Sequence, residues 1–516
     1  MSTCKRLWTL CLFMALVLSG CLPILPATAA SLPLAQEPPL ALPYFLRTAC
    51  LYRIPPGANV TCGYLVVPED RSHPAGKPIR LHVVIFKSSS AEPQPDPIIL
   101  LNGGPGSPGQ PMVESLLYDL LGEVWRADRD VIYFDQRGTG FSLPALYCPE
   151  TALPQTTVAM MSYTASMAAE RAGLQQCYTR LQSEGVNLAA YTLAESAADV
   201  NDLRQALGYD QVNLYGFSYG SLLATVLLRT YPATLRSVIL DAVLPPGVDL
   251  VQEKPACLQS GLDALLNGCA TDAACQAAYP ELKVHFYATL DRLQTAPVTI
   301  TVTTADERIP VVVDDLKFLN MLFFELQLGH ISQLPRQIEA VFAGDYDAPA
   351  WRWLAYAAAQ AQPASRLAQS TADGMYYSTL CNYSAGLAAT AQGAAPCAPC
   401  TTTDRHPSLA AYAEFMLAPC DFWQAGAASA TVVTPLPTNA TPTLLLTGAY
   451  DCALPPYLSQ SLMANLPNGY HFVLPVGHAV AGSLCGLYLT DQFWANPLVQ
   501  PDASCIDAMS VVWSTR

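Results

Sequence analysis

One segment, residues 213–224, constrains the fold more than any other part of this chain. It reads Asn-Leu-Tyr-Gly-Phe-Ser-Tyr-Gly-Ser-Leu-Leu-Ala, which places the pattern Gly-x-Ser-x-Gly between a short apolar run and an Ala- and Leu-rich helical pattern. A strand, a tight turn and a helix produce this context, because a Cβ at either glycine would collide with neighbouring backbone. The pattern predicts that Ser218 stands on a strained turn with its hydroxyl exposed as a nucleophile. An ordinary helix N-terminus capped by serine is the alternative.

An acid and a histidine follow the serine in the order that a Ser-Asp-His triad of this kind requires. The apolar run Thr443–Thr447 leads through a glycine turn to Asp451, and the run Phe472–Leu474 leads through Gly477 to His478. In such a triad the histidine takes the proton of the serine, and the aspartate fixes the tautomer of the imidazole. We therefore predict that Asp451 and His478 are the catalytic partners of the serine. A surface or capping histidine is the alternative for His478.

A glycine-rich loop after an early strand supplies a candidate oxyanion hole. The run Pro97–Leu101 has the pattern of a buried strand, and it opens into Asn102–Gly109, which reads Asn-Gly-Gly-Pro-Gly-Ser-Pro-Gly. The backbone N–H of Gly103 or Gly104, together with that of Tyr219, could bind a developing oxyanion, a contact worth about 3–4 kcal/mol per donor. A plain turn and a phosphate-binding loop are the other interpretations. The loop lacks the Gly-Lys-Ser/Thr ending of a phosphate-binding loop.

These motifs together resemble a known family, the prolyl aminopeptidase and tripeptidyl aminopeptidase branch of the α/β-hydrolases. The similarity runs from about residue 50 to residue 505, and it is carried by Asn102–Gly106, Asp135–Ser142, Gly216–Gly220, Leu240–Pro246 and the ending from Gly477–His478 to Cys505. The last two are similar to the secreted, tripeptidyl-type members. The resemblance implies a Ser-Asp-His peptidase that removes residues from free N-termini, with a helical cap over the site.

The chain departs from the family at two positions. The oxyanion loop of the family often begins with histidine, and this chain has Asn102. Many members place a glutamate in the cap, two residues after a cysteine, to bind the substrate ammonium, and the corresponding residue is Tyr383. A buried ammonium without a carboxylate partner costs several kcal/mol, and Glu325 and Asp373 are other acids of the predicted cap. A carboxylic-ester hydrolase with the same triad and a catalytically silent surface-binding lipoprotein are therefore the alternatives to an aminopeptidase.

The remaining pattern fits an α/β-hydrolase fold. Short β-rich runs at Arg80–Phe86, Val131–Phe134 and Val238–Leu240 alternate with helical patterns such as Ala197–Leu207. This alternation predicts a mostly parallel central sheet with helices on both faces. A largely helical cap is predicted between the nucleophile half and the acid and histidine half. The predicted organisation is a signal peptide and tether at residues 1–30, core halves at 31–243 and 435–516, and the cap at 244–434.

The N-terminus predicts export. Lys5-Arg6 and the apolar run to Leu18 have the pattern of a signal peptide. The sequence Leu18-Ser19-Gly20-Cys21 resembles a bacterial lipobox with Cys21 as the acylated residue, and cleavage near Ala27-Thr28-Ala29 is the alternative. We therefore predict an extracytoplasmic protein, secreted or anchored by lipid at the bacterial cell surface, that contacts the membrane only through this anchor.

The cysteines support an oxidising compartment. Of the 17 cysteines, Cys4 and Cys11 lie in the predicted signal and Cys21 would carry lipid, which leaves an even number for disulfides. The plausible local pairs are Cys50–Cys62, Cys148–Cys177, Cys269–Cys275 and Cys485–Cys505. The pairing of the others stays open: Cys257, Cys381, Cys397, Cys400, Cys420 and Cys452. Cys397-Ala398-Pro399-Cys400 is interpreted as a small structural loop in preference to a redox motif.

Charge and composition limit the ligands. The net charge is −15, with only 26 basic residues among 516 and no basic run, so we expect no nucleic-acid partner. No cluster of histidine and cysteine has zinc-binding spacing, and we expect neither a metal nor a cofactor. The predicted partner is a small peptide or ester substrate.

Overall fold

A twisted sheet forms the centre of the computed structural model, which describes residues 41–109, 122–360, 370–390, 406–414 and 418–515. The predictions for the signal peptide, for Cys21 and for the Cys397–Cys400 loop lie outside these residues. The strands in chain order are β1 (Tyr44–Arg47), β2 (Val60–Pro68), β3 (Pro78–Phe86), β4 (Ile98–Leu101), β5 (Val131–Phe134), β6 (Val212–Phe217), β7 (Leu235–Asp241), β8 (Val298–Thr303), β9 (Arg308–Val313), β10 (Thr443–Gly448) and β11 (Gly469–Leu474).

Within the described residues, nine of these strands pair in the order β1-β2-β3-β5-β4-β6-β7-β10-β11. The six strands from β5 to β11 in this order are parallel to their neighbours, whereas β1, β2, β3 and β5 pair antiparallel. Strands β4, β5 and β10 are buried at every residue. Strands covered on both faces need such continuous apolar runs. The predicted fold class, a mostly parallel sheet with helices on both faces, is confirmed.

The helices connect these strands and build the cap. They are α1 (Gln155–Met160), α2 (Tyr163–Ser183), α3 (Leu193–Ala206), α4 (Tyr219–Thr230), α5 (Leu250–Thr271), α6 (Ala273–Ala278), α7 (Leu282–Thr295), α8 (Asp315–Gln327), α9 (Leu334–Phe342), α10 (Asp347–Gln360), α11 (Asp373–Ala389), α12 (Pro407–Glu414), α13 (Ala430–Val433), α14 (Pro456–Met463), α15 (Leu484–Ala495) and α16 (Ser504–Asp507). Helices α5 to α13 lie between β7 and β10 in the chain, where the helical cap was predicted.

Two features of the cap were not predicted. An antiparallel hairpin, β8 and β9, stands among its helices. Helices α1 and α2 precede the nucleophile in the chain, yet Val158 and Tyr163 belong to the same buried apolar cluster as Phe286 and Phe318 of the cap. The second half of α2 packs elsewhere, because Leu174 and Leu181 join a cluster with Met375 of α11. The boundaries predicted for the four segments stay predictions.

Five disulfides cross-link the described residues. The four predicted pairs are present as disulfides, and a fifth joins Cys381 of α11 to Cys420. Cys257 and Cys452 are buried free thiols. In the described part of the chain, none of the helices is both long enough and apolar enough to cross a membrane.

Candidate active site

The turn between β6 and α4 holds Ser218 in a strained conformation, with φ 56° and ψ −121°. The two glycines of the motif are required by close packing. A Cβ on Gly216 would lie 2.5 Å from the carbonyl oxygen of Gly220, and one on Gly220 would lie 1.9 Å from that of Leu101. The side chain of Ser218 makes no capping hydrogen bond to α4. Ser218 is half-buried, and its conformation is the one expected of a nucleophile on a tight turn and differs from that of a capping serine.

The predicted acid and histidine contact each other directly. Nδ1 of His478 donates to Oδ2 of Asp451 at 2.8 Å. The other carboxylate oxygen of Asp451 accepts the N–H groups of Ala453 at 2.8 Å and Leu454 at 2.9 Å, and the side chain is fully buried. Burial lowers the pKa of His478, but the neighbouring Asp451 carboxylate more than offsets this, so the pKa is raised. The pair therefore has the tautomer and the charge balance of a general base and its orienting acid.

The serine lies at the same edge of the sheet. The ring of Phe217, its chain neighbour, packs edge-on against the imidazole of His478 with 5.0 Å between centroids. Among the described residues, the hydroxyl of Ser218 makes no hydrogen bond with His478, and such contacts are often longer in unliganded enzymes. All three residues follow the carboxyl ends of parallel strands, which is where ligands bind in folds of this class.

The glycine loop after β4 lies against the serine. A Cβ on Gly103 would be 2.9 Å from the Cβ of Ser218, so this close approach to the serine requires glycine. Gly104 forms the turn of the loop with φ +107°. Tyr219 is the first residue of α4, where backbone N–H groups have no partner within the helix. The structure thus places Gly103 against Ser218, with Gly104 beside it in the same loop and Tyr219 next to the serine in the chain.

The segment 135–142 holds this loop in place. The side-chain amide of Asn102 donates to the carbonyl of Pro108 at 2.9 Å, and Nε2 of Gln136 donates to the carbonyl of Asn102 at 3.1 Å. The buried carboxylate of Asp135 accepts the N–H of Gly109 at 2.8 Å. Asparagine in place of histidine at position 102 therefore closes the loop by a hydrogen bond of its own.

A cavity of about 230 Å³ in the cap contains two carboxylates that no local motif marked. Glu170 of α2 and Asp373 of α11 both line it, and both are half-buried. The rest of its wall is rich in aromatic side chains: Tyr163, Phe323, Tyr356, Tyr376, Tyr377 and Tyr412. The cavity adjoins the oxyanion loop, because the N–H of Ala372 donates to the carbonyl of Gly106 at 3.0 Å immediately before Asp373.

The electrostatics of this cavity depend on pH. Burial and the charge of Glu170 raise the pKa of Asp373 to about 8. Burial also raises the pKa of Glu170, and the hydroxyl of Tyr356 lowers it in part. Lys254 of α5 lines the same cavity with its ammonium over the rings of Phe323 and Tyr412, and burial lowers its pKa to about 8. The cavity therefore becomes more negative as the pH rises through about 8.

The other predicted cap acid, Glu325, and Tyr383 lie away from this cavity. Glu325 is buried, forms an ion pair with Arg352 and accepts from His330 at 2.9 Å at a separate surface cavity. Tyr383 is buried, and its hydroxyl accepts the N–H of Gly247 at 2.9 Å, a structural contact. Of the predicted cap acids, only Asp373 faces the cavity beside the oxyanion loop. Glu170 was missed because it precedes the nucleophile in the chain, outside the predicted cap.

One group of side chains in the described residues has the spacing of metal ligands. It consists of Cys148, Glu150 and Cys177. The two sulfurs are joined in a disulfide and cannot act as thiolate ligands.

Two family models match the chain. Residues 96–265, which include Ser218, match the family model of the alpha/beta hydrolase fold, and residues 407–505, which include Asp451 and His478, match that of TAP-like proteins. The chain is 28% identical over 303 residues to the serine protease Hip1 of Mycobacterium tuberculosis, and the match covers 55% of each chain. It is 28% identical over 202 residues to the tripeptidyl aminopeptidase of Streptomyces lividans, with 37% of each chain covered.

A third relative has a different stated activity. The chain is 30% identical over 231 residues to carboxylesterase B of Mycobacterium tuberculosis, with 42% of each chain covered. These matches span about half the length of the relatives or less. The two family models cover both parts of the chain that carry the candidate triad. The protein belongs to the α/β hydrolases, with a TAP-like C-terminal region.

Proposed function

We propose that this protein is an exported serine aminopeptidase that releases N-terminal residues or short peptides. One observation carries the proposal above all others. A cavity with two carboxylates adjoins the oxyanion loop, and Gly103 of this loop contacts Ser218, so a site for a substrate ammonium would lie near the proposed nucleophile.

The triad would act through an acyl-enzyme. Ser218 Oγ attacks the scissile carbonyl carbon while His478 takes its proton, and Asp451 stabilises the resulting imidazolium. The N–H groups of Tyr219 and of Gly103 or Gly104 hold the oxyanion. The C–N bond then breaks as His478 returns the proton to the leaving amine. Water next attacks the acyl carbon and gives a proton to His478, and the C–O bond to Ser218 breaks as His478 returns that proton to the serine.

The cap cavity would select the free N-terminus. An ammonium placed between Glu170 and Asp373 gains two carboxylate partners in a site of low dielectric, where each contact is stronger than in water. The faces of the surrounding tyrosines add cation–π attraction. A substrate with a blocked N-terminus would lose these contacts and would bring an uncharged amide to two half-buried acids.

The names of two relatives support a peptidase. One is a serine protease and another a tripeptidyl aminopeptidase. The similarity to carboxylesterase B favours ester hydrolysis by the same triad as the second candidate function. The two functions differ in one respect that can be measured, namely whether the substrate needs an ammonium.

Export is part of the proposal. Five disulfides in the described residues are typical of a protein that folds in an oxidising compartment. We propose that the N-terminal signal directs the chain out of the cytoplasm and that Cys21 carries the lipid of a surface anchor. Replacing Cys21 by serine should release the protein from the membrane fraction into the medium. Membrane association that is unchanged in this variant would contradict the lipid anchor.

The catalytic proposal is tested with purified protein and its Ser218→Ala variant. The substrates are chromogenic amides with free N-termini, the same amides N-acetylated, and short acyl esters. We expect turnover of the free amides, no turnover by the variant, and covalent labelling of wild type alone by a fluorophosphonate. Turnover of esters alone would favour the carboxylesterase, and full activity of Ser218→Ala would refute the triad.

The cap cavity is tested separately with Glu170→Gln and Asp373→Asn. Each should raise KM for free-amine substrates by about 10- to 100-fold, equivalent to about 1.4–2.8 kcal/mol, and leave fluorophosphonate labelling unchanged. Glu325→Gln is the matched control, because this acid also belongs to the cap but lines another cavity. An equal effect of all three substitutions would assign the loss to the stability of the cap.

A further inference from the structure

A second buried carboxylate lies beneath the histidine loop. Asp241 ends β7, and its side chain is fully buried. Its two oxygens accept the N–H groups of Val480 at 3.0 Å and Ala481 at 2.8 Å, two and three residues after His478, and one of them also accepts the hydroxyl of Tyr215 at 2.7 Å. The carboxylate therefore holds the main chain of the loop shortly after the proposed base, His478.

The main chain of the same residue contacts the nucleophile turn. The carbonyl oxygen of Asp241 accepts the N–H of Ser218 at 2.9 Å. The next residue, Ala242, has φ +54° and donates its N–H to Leu446 of β10 at 3.0 Å. A non-glycine residue with positive φ costs energy and is kept where the surrounding structure demands it. One residue thus connects the turn that carries Ser218 with the loop that carries His478.

We infer that Asp241 is a positioning residue that fixes the separation between Ser218 and His478. The inference rests on the proposed function, in which these two residues are nucleophile and base. It extends that function to a residue that touches neither substrate nor the reacting atoms. Ser218 and His478 come from loops on different strands and make no hydrogen bond with each other in the described structure, so their separation depends on what holds the two loops.

The chemistry of the contact requires an ionised carboxylate. Three donors point at its two oxygens, and an ionised carboxylate offers only acceptors. An amide at this position would present its NH₂ group to at least one N–H, which replaces an attractive contact by a repulsive one. A small displacement of the histidine loop is enough to matter, because misplacement of a catalytic group by about 1 Å can cost about 100-fold in rate.

The groups around Asp241 affect the pKa of its carboxyl. Tyr215 of β6 donates to its carboxylate, and the charge of His478 acts on it. Tyr133 in turn acts on Tyr215, and Asp451 accepts a hydrogen bond from His478. Strand β10 pairs with β7 beside Asp241 and consists of leucine, threonine and glycine, so it brings no titratable side chain. Burial raises the pKa of Asp241 to about 6, and the donors from Ala481, Tyr215 and Val480 oppose this rise. As the pH falls through about 6, the carboxyl gains a proton, loses an acceptor and loosens the loop.

The first test is Asp241→Asn, measured on the free-amine substrates. We expect kcat to fall by about 30- to 100-fold, with KM within about threefold and the far-UV circular dichroism unchanged. Asp96→Asn is the matched control. Asp96 is also buried and accepts from Arg129 at 2.9 Å and Asn213 at 2.7 Å, but it precedes β4 at the opposite end of the parallel strands. The control should lose thermal stability and keep its kcat.

The second test is Tyr215→Phe, which keeps the histidine loop contacts and removes one donor to the carboxylate. The pKa of Asp241 should rise, so the acidic limb of the pH profile of kcat, to which Asp241 and the base His478 both contribute, should move to higher pH while the plateau stays within about threefold of wild type. This test decides the matter if Asp241→Asn does not fold. Asp241→Asn with a kcat like that of Asp96→Asn, or a Tyr215→Phe limb that does not move, would overturn the inference.

The outcomes separate this inference from the proposed function. Loss of activity in Ser218→Ala together with wild-type behaviour of both Asp241→Asn and Tyr215→Phe would refute the positioning role alone. Retained activity in Ser218→Ala would refute the proposed function and this inference with it.

Discussion

The carboxyl edge of the sheet and the cap cavity hold the two halves of the candidate site, and they are built in different ways. At the sheet edge, Ser218, Asp451 and His478 each follow a strand, and main-chain hydrogen bonds hold the surrounding turns. In the cavity, Glu170 and Asp373 come from helices on opposite sides of the nucleophile in the chain, and side chains form the wall.

The two regions would therefore serve different steps of the proposed reaction. Bond cleavage would depend on backbone geometry that tolerates few residue types, as the contacts of Gly216 and Gly220 show. Substrate selection would depend on side chains that can be exchanged without disturbing the sheet. Changes at the sheet edge should therefore act on kcat, and changes in the cavity should act on KM.

The largest expected effect is at the sheet edge. Asp451→Asn should lower kcat by about 10⁴-fold, because the amide would favour the wrong tautomer of His478. Steady-state kinetics with esters and free amines should show equal losses, since both need the triad. A loss confined to one substrate class would break the division between the two regions.

An intermediate effect is expected from pH in the cavity. For a free-amine substrate, kcat/KM should rise toward pH 8, because Asp373 loses its proton and Lys254 loses its charge, and fall above it as the substrate ammonium, with a pKa of about 7.7–8.0, is deprotonated. An ester with the same acyl group but no ammonium should show only the lower limb of the triad. The profiles are measured between pH 5 and about 10. Coincident profiles would show that the cavity does not bind the ammonium.

A smaller effect is expected from the disulfide that ties α11 to Cys420. Its sulfurs join residues 39 apart, and Cys381→Ser with Cys420→Ser should lower the free energy of unfolding by about 2–4 kcal/mol. Because α11 carries Asp373, KM for free amines should rise modestly while kcat for esters stays at the wild-type value. Urea unfolding under non-reducing conditions and kinetics on both substrates measure the two effects. A fall in kcat for esters would show that the cap and the sheet edge are coupled.

The smallest effect is expected at Tyr383. Tyr383→Phe removes the acceptor of the Gly247 N–H and should lower the free energy of unfolding by about 1–2 kcal/mol. KM for free amines should not change, since the hydroxyl of Tyr383 lies outside the cap cavity that contains Glu170 and Asp373. Thermal denaturation and steady-state kinetics are the measurements. A tenfold rise in KM would place the ammonium near Tyr383 after all.

Much of the fold follows from local patterns in the sequence. The strand Val131–Phe134 lies where it was predicted, and Ser218, Asp451 and His478 meet at one edge because each follows a strand of a parallel sheet. The short-range disulfides, such as Cys269–Cys275, need little tertiary information because their cysteines are close in the chain. The hairpin β8–β9 was missed although residues 298–303 alternate between threonine and valine or isoleucine, a pattern typical of a strand. The surrounding helical pattern dominated the prediction.

Local patterns are therefore sufficient to predict the parallel sheet, the order of the candidate triad and the glycine turns, because strand periodicity and backbone sterics are local properties. The approach of Glu170 to Asp373, and the link that Asp241 makes between the loops of Ser218 and His478, depend on how the chain folds. These side chains meet through the packing of elements far apart in the chain. Their pKa shifts arise from burial, a property that exists only after the chain has folded.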